Sequence, residues 1–302
     1  MTEPTSGARK SDAALTILGV ACGLGSALFW ALGFVATRHG LQVGFTPVDL
    51  LMHRFLWSGV AFLPIILRGN LADLCGIGWG QGLVLMALGG PVMSLISYTG
   101  FLFVPLGHGS VIQPSCATLG GLFLAAAVLG ERMSFSRVLG AVVIVAGLAV
   151  IGGESIGHIG LHGVMGDLIF VLTGFMFACF AALVRYWRVT AFSVAGVVSV
   201  LSLLLFPVYV GLVGIGHVAA IGLRENALQA LGQGILAGPA AMYLFTLSIQ
   251  HLGVARAAIF PAIVPALTLL VGWVLLDEPP TALQAVGLCI VLTGFYLAQR
   301  QR

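Results

Sequence analysis

Apolar residues gather in ten long blocks along this chain, at roughly 13–37, 46–67, 79–103, 106–129, 134–152, 163–185, 191–215, 227–250, 254–276 and 280–299. Each approaches the ~20 residues that an apolar helix needs to cross the hydrocarbon of a bilayer. A barrel strand needs only ~9–11 residues and alternates in polarity, which these blocks do not. The pattern predicts an all-α integral membrane protein of ten transmembrane helices joined by short polar corners. Boundary residues agree. Pro47, Pro105 and Pro279-Pro280 sit at block starts, where a missing N–H costs nothing. Ser134 and Thr281 precede apolar runs as N-caps, at matching places in the two halves. Residues 1–12 read as a disordered cytoplasmic N-terminus.

The second half of the chain repeats the first. A shift of about 147 positions carries Gly19 onto Gly166, Arg38 onto Arg185, Pro114 onto Pro261, Glu131 onto Glu278, Gly140 onto Gly287 and Gly147 onto Gly294. Pro91 lands one residue short of Pro239. Each half, 13–152 and 163–299, holds five blocks. A duplicated unit with an odd number of spans must lie in the membrane with its halves upside down to each other. Such inverted repeats are the architecture of secondary transporters, with the binding site where the halves meet.

Composition narrows the class further. The chain is 59% hydrophobic and 8% charged, far below the ~25% charge of soluble domains, so lipid is its main solvent. A net charge of +3 leaves no footprint for nucleic acid. The five cysteines are scattered without a CxxC pair, and the single lysine, Lys10, rules out a GxxxxGK[ST] phosphate loop. No GxSxG or HExxH motif suggests an enzyme. With the N-terminus in the cytoplasm, Arg9, Lys10, Arg68, Arg132, Arg137, Arg185, Arg188, Arg256, Arg300 and Arg302 fall inside, against Arg38 and Arg224 outside. Both termini are therefore expected to be cytoplasmic.

Candidate functional residues cluster around helix breakers. Gly89-Gly90-Pro91 and Gly238-Pro239 fall near the middle of blocks three and eight. Paired breaks in corresponding segments point to a transport site, though a plain kink is the alternative. Pro114 and Pro261-Ala-Ile-Val-Pro265 form a second matched pair, expected to line a moving element. Ser94, Ser97 and Tyr98 share a helical face with Pro91, and Met242, Tyr243 and Thr246 form the equivalent face beside Pro239. Gln113 joins them from block four. Hydroxyls with aromatics suit a medium-sized amphipathic solute, yet the same hydroxyls could simply bond between helices. Trp30 lies too deep for an interfacial belt, and Phe177 is its counterpart.

His53-Arg54 sit roughly 10 Å into block two, where a charge must be paired or snorkel. Asp49 lies one turn before His53, and the i, i+4 spacing places them on one face. Either a structural pair or a role in substrate or proton binding follows. Glu131 and Glu278 precede blocks five and ten, as caps or as gate contacts, and Asp167 fits the dipole at the start of block six. Glu154, His158, His162 and Asp167 mimic a chelating set, but the interleaved glycines imply a polar outer loop. No metal and no other cofactor is expected.

Trp30 with Arg38, Arg54, the string Leu129-Gly130-Glu131 followed by Gly140 and Gly147, and its second copy Leu276-Asp277-Glu278 with Gly287 and Gly294, resemble the drug/metabolite transporter superfamily, EamA-type. The second copy departs where Phe177 stands for the tryptophan and Leu201 for the arginine. The resemblance implies ten helices in two inverted five-helix halves around a central cavity, and export of small metabolites. Its bacterial members include exporters of aromatic and other amino acids. The expected protein is a secondary transporter of the bacterial inner membrane, moving small-molecule substrates, most of all apolar or aromatic amino acids. Efflux of drugs or hydrophobic cations is the alternative, and either a monomer or a homodimer fits.

Overall fold

The computed structural model describes residues 6–69, 73–127 and 133–299. Ten helices long and apolar enough to cross a membrane account for most of it. They are α1 (Ser6–Gln42), α2 (Pro47–Leu67), α3 (Trp79–Gly100), α4 (Leu106–Ala127), α5 (Phe135–Ile159), α6 (Leu161–Tyr186), α7 (Ala191–Leu212), α8 (Leu223–Leu252), α9 (Ile259–Leu276) and α10 (Ala282–Gln299). A short helix, Gly216–Ile221, lies between α7 and α8. The first helix extends back to Ser6, so residues 6–12 of the segment expected to be disordered are helical.

The anticipated caps form. Ser134 accepts from the amide of Arg137 at the start of α5, and Thr281 from that of Gln284 at the start of α10. At α2 the cap is a full capping box. Thr46 accepts from the Asp49 amide while the Asp49 carboxylate accepts from the Thr46 amide, with Pro47 at the first helical position.

The two five-helix halves are antiparallel, and the glycine contacts display it. Helices α5 and α10 occupy equivalent places and run in opposite senses. Gly140 faces Gly294 and Ala298, while Gly147 faces Gly287 and Val291. A Cβ at Gly140 would lie 2.5 Å from the Ala298 amide nitrogen, and one at Gly294 would lie 2.9 Å from the Gly140 carbonyl oxygen. Glycine lets the two backbones touch. In lipid, where apolar burial gives no drive to associate, such close approach supplies the attraction through dispersion.

The other helices interlock across the repeat. The leading helix α1 packs along α8 and α9 of the second half, and α6 packs along α3 and α4 of the first. Gly33 abuts Ala237 and Gly23 abuts Phe260 on one side; Gly174 abuts Cys116 and Gly120 abuts Ala178 on the other. Helices α2 and α7 lie side by side between these groups, with Gly59 against Leu203 and Gly196 against Phe62 and Ile66.

Substituting Gly140 with leucine should overpack this seam, at a cost of about 1–3 kcal/mol. Thermal unfolding of the purified protein in detergent should show a lowered midpoint. The same change at Gly121, where a Cβ meets nothing within 4 Å, should leave the midpoint within error.

Candidate functional site

Helices α3 and α8 break at matched glycines. Gly90 has φ −113°, ψ −135° and Gly238 has φ −92°, ψ −108°, both far from helical values. Each is followed by a proline that starts the next helical stretch. In α8 the segment Ala230–Ala240 is also widened into π-helix, so its carbonyls are offset from their usual donors. Pro114 and Pro261 do not behave as a matched pair. Pro114 lies inside the unbroken helix α4, whereas Pro261 falls in the first turn of α9, where proline is tolerated; the interior proline of α9 is Pro265.

Beside the broken α8 a polar network joins four helices. Gln233 is 1% exposed and is its hub. Its side-chain amide donates to Thr37 Oγ1 on α1, and its Oε1 accepts from the Tyr98 hydroxyl on α3 at 3.2 Å. Its main-chain carbonyl accepts from Arg54 Nη1 on α2 at 3.0 Å. Arg54 thus binds the irregular backbone of α8 rather than Asp49. One turn earlier, the fully buried Gln229 donates to the Ala36 carbonyl at 2.9 Å. Next to Tyr98, the Ser97 hydroxyl donates to Gln113 Oε1 of α4 at 2.9 Å. Ser94 and Pro91 are buried on the same half-helix.

A second layer lies between this network and the nearby end of the bundle. Arg38 grips Glu278 with two bonds of 3.1 Å, and its remaining arm donates to the Phe101 carbonyl at 3.0 Å. Glu278 also accepts from the Leu106 amide at 3.4 Å, at the first residue of α4. One arginine and one carboxylate therefore tie together the ends of α1 and α3, the start of α4 and the α9–α10 corner. Bidentate geometry makes this the stronger kind of ion pair. Glu278 acts both as an N-terminal anion and as a clamp. Its repeat counterpart Glu131 lies outside the described residues.

Asp49 and His53 belong to a separate cluster at the same end. Asp49 is fully buried, within its capping box, and accepts from the Tyr209 hydroxyl at 2.6 Å. His53 Nδ1 accepts from the Trp57 indole at 3.2 Å, and its Nε2 pairs with Asn226 Oδ1 at 3.0 Å. Asn226 spends its own amide on the carbonyls of Val218 and Gly222. Its Oδ1 must then accept, which fixes His53 as the neutral Nε2–H form. His39 pairs with Glu225 at 2.7 Å nearby.

The remaining aromatic candidates do not converge on Gln233. Trp30 makes an edge contact with Phe245 at 5.2 Å between centroids. Phe177 is 42% and Tyr243 is 55% exposed. Thr246 donates to the Met242 carbonyl of its own helix, and Pro239 is half-buried. The expected outer loop at Glu154–His162 is largely helical. Helix α5 continues as a π-turn from Ser155 to Ile159, and Glu154 and Asp167 are buried, while His158 and His162 face outward. Among the described residues no cluster suits a metal ion. A groove between α2 and α7, lined by Val48, Met52, Phe55, Phe206 and Tyr209, is almost wholly apolar and lies apart from Gln233.

Gln229 and Gln233 escaped sequence reasoning. The available signal was two amides spaced i, i+4 within an apolar block, each of which must find partners when buried.

Residues 17–153 and 164–299 each match the EamA-like transporter family. The chain belongs to that family. The EamA-like fold recurs in a solved crystal structure that is 20% identical, covers 95% of this chain and 96% of its own, and superposes with a TM-score of 0.61. An uncharacterized transporter of Archaeoglobus fulgidus is 27% identical over 91% of this chain and 96% of its own length. A probable terminal-alkyne amino-acid exporter of Streptantibioticus cattleyicolor is 28% identical over 90% of both. This EamA-like protein is thus a multi-pass membrane transporter of a small-molecule substrate, in a family of transporters rather than enzymes.

The Arg38–Glu278 clamp can be tested by charge exchange. Arg38→Glu alone should destabilise the purified protein, by about 1–3 kcal/mol for a broken charge-assisted pair. Combining it with Glu278→Arg should recover at least half of the loss in a thermal-unfolding assay. Equal damage in single and double variants would show that the pair does not hold this end together.

Proposed function

We propose that this transporter exports small amphipathic metabolites, chiefly amino acids with apolar or aromatic side chains, by alternating access between its two repeats, 13–152 and 163–299. The observation that carries the reading is the double closure at one end of a pseudo-symmetric bundle. Arg38–Glu278 forms the outer layer, and Thr37–Gln233–Tyr98 the layer beneath. A carrier that alternates must be shut at one end at a time, and inverted repeats supply the second state by exchanging the conformations of the halves. Both layers are built from side-chain contacts between helices, which can part without unfolding any helix.

The arginine and lysine asymmetry supports a closed end on the outer side of a bacterial inner membrane, with both termini in the cytoplasm. The passage would then be loaded from the cytoplasm. Below the closure, Ser94, Ser97, Gln113 and Thr246 offer hydrogen bonds, and Trp30, Phe177, Met242 and Tyr243 offer apolar and aromatic surface. Pro91 and Pro239 keep the adjoining helix ends free to receive a charged group. This mixture suits a zwitterion with an apolar side chain. The named function of the Streptantibioticus relative supports the same substrate class. Export down a metabolite gradient needs no coupling ion for this scheme to work.

Counterflow in liposomes containing the purified protein tests the proposal. Labelled phenylalanine, leucine and tryptophan should exchange against their unlabelled forms, and absence of transport for all twenty amino acids would reject the substrate class. Tyr243→Ala should lower aromatic exchange relative to alanine exchange by about tenfold, the equivalent of about 1.4 kcal/mol. An unchanged preference would remove Tyr243 from the passage.

A further inference from the structure

A cluster of ionisable groups outside the passage has no role in the reading above. His108, two residues into α4 from the Leu106 amide that meets Glu278, is fully buried. Its Nδ1 lies 2.8 Å from Asp167 Oδ1 on α6. Its Nε2 lies 3.5 Å from Glu154 Oε2 at the end of the regular part of α5, and it has no hydrogen-bond partner. Glu154 and Asp167 are 7% and 9% exposed.

Both acids are surrounded by hydrogen-bond donors. Asp167 Oδ2 accepts from the Ser155 hydroxyl at 2.6 Å. Glu154 accepts from the Thr281 hydroxyl at 3.0 Å and from the Gln284 amide at 3.4 Å. Each carboxyl group thus accepts hydrogen bonds from its neighbours, an arrangement that suits an ionised acid. A histidine with a hydrogen only on Nδ1 would leave a bare nitrogen lone pair facing the Glu154 oxygen. Two buried negative charges would then stand without a cation between them, an arrangement that low-dielectric surroundings penalise. A second proton, on Nε2, removes both faults.

Among the described residues no other charge faces His108 closely enough to substitute. From the α9–α10 corner Glu278 reaches only Leu106 and is neutralised by Arg38. Helix α10 contributes Gln284, with Thr281 just before it, and α3 contributes Phe101 and Val104. His162 stacks on Phe103, and His158 points outward. The cluster also lacks a repeat mate. The 147-residue shift carries Asp167 to Val20 and His108 to Ala255, neither of which titrates.

We propose that His108, Glu154 and Asp167 form a proton-binding site whose occupancy holds the Arg38 end closed. The proton bridges α4, α5 and α6, and Glu154 extends the bridge to α10. Opening that end parts α4 and α6 from the α5–α10 pair and exposes the two acids and the imidazole to water. The imidazole can then lose its proton to bulk solvent without stranding a buried charge. Acid on that side drives closure, and alkali favours the open form. This rests on the reading that the Arg38 end opens during transport, but not on the identity of the substrate.

The test needs no substrate. Val35, 4% exposed and one turn below Arg38 on α1, is replaced by cysteine in a background lacking the natural cysteines. Maleimide labelling is then followed in proteoliposomes between about pH 6 and about pH 8, the range in which histidine titrates. Labelling in the His108→Gln variant reports the intrinsic pH dependence of the thiol reaction. Relative to it, labelling of the parent should accelerate as pH rises, by up to about tenfold per pH unit for one linked proton. Glu154→Gln makes the opposite prediction. Its amide can donate to Nε2 in place of the proton, so labelling should stay slow across the range. Parent and His108→Gln profiles that coincide, or an extra acceleration that survives in Glu154→Gln, would overturn the site. So would a response that follows replacement of sodium by choline rather than pH. Failure to find amino-acid flux would leave these outcomes untouched.

Discussion

Hydrocarbon offers no hydrogen bonds, so each polar group that this chain takes below the membrane surface must be answered by another part of the chain. That constraint organises the structure. The break in α8 frees backbone carbonyls, and Arg54 crosses from α2 to occupy one of them. The amide of Gln233 is spent on Thr37 and Tyr98, and that of Gln229 on the Ala36 carbonyl. Asp49 is consumed by its cap and by Tyr209. Each bond links helices that apolar contact alone would leave free to slide, because lipid tails pack against a helix as readily as another helix does. The polar contacts therefore set which helices meet, and the glycine seams set how closely.

These two kinds of contact divide the labour of a moving protein. The α5–α10 seam sets backbone against backbone at its glycines, with the apolar side chains of Ile144, Ile151 and Val291 packed beside them. The contacts at the Arg38 end are long side chains on separate helices, each able to exchange its partner for water. The proposed alternating cycle needs both: a seam that persists and an end that can part. Interlocking of α1 with α8 and α9, and of α6 with α3 and α4, means that neither repeat moves as a closed unit.

Much of this was legible in the sequence because it is local or periodic. Span lengths follow from unbroken apolar runs. The breaks at Gly90 and Gly238 follow from Gly-Pro pairs, and the seam from glycines at seven-residue spacing. Pairing across long separations was not legible. Arg54 has no acid at helical spacing on its own helix, since Asp49 lies one turn before His53, and its partner is a carbonyl 179 residues away. Asp167 was read as a dipole anion, yet it bonds His108, which carried no local pattern to mark it. Pro114 and Pro261 match by repeat but differ by depth within their helices, since only the position relative to the helix start decides whether a proline disturbs it. The glycine-rich stretch after Glu154 was read as a loop on propensity, and the packing of Gly163 against Ile159 and Ser155 shows tertiary contact overriding it.

The halves share a backbone plan but not its polar furniture. Leu201, 4% exposed, stands where the first repeat has Arg54, so swapping the conformations of the two repeats cannot rebuild the bonds around Gln233 at the opposite face. The two extremes of the proposed cycle are therefore unequal in energy. An idle molecule rests in one of them, and a compound that fits only that resting form would block turnover without resembling the cargo.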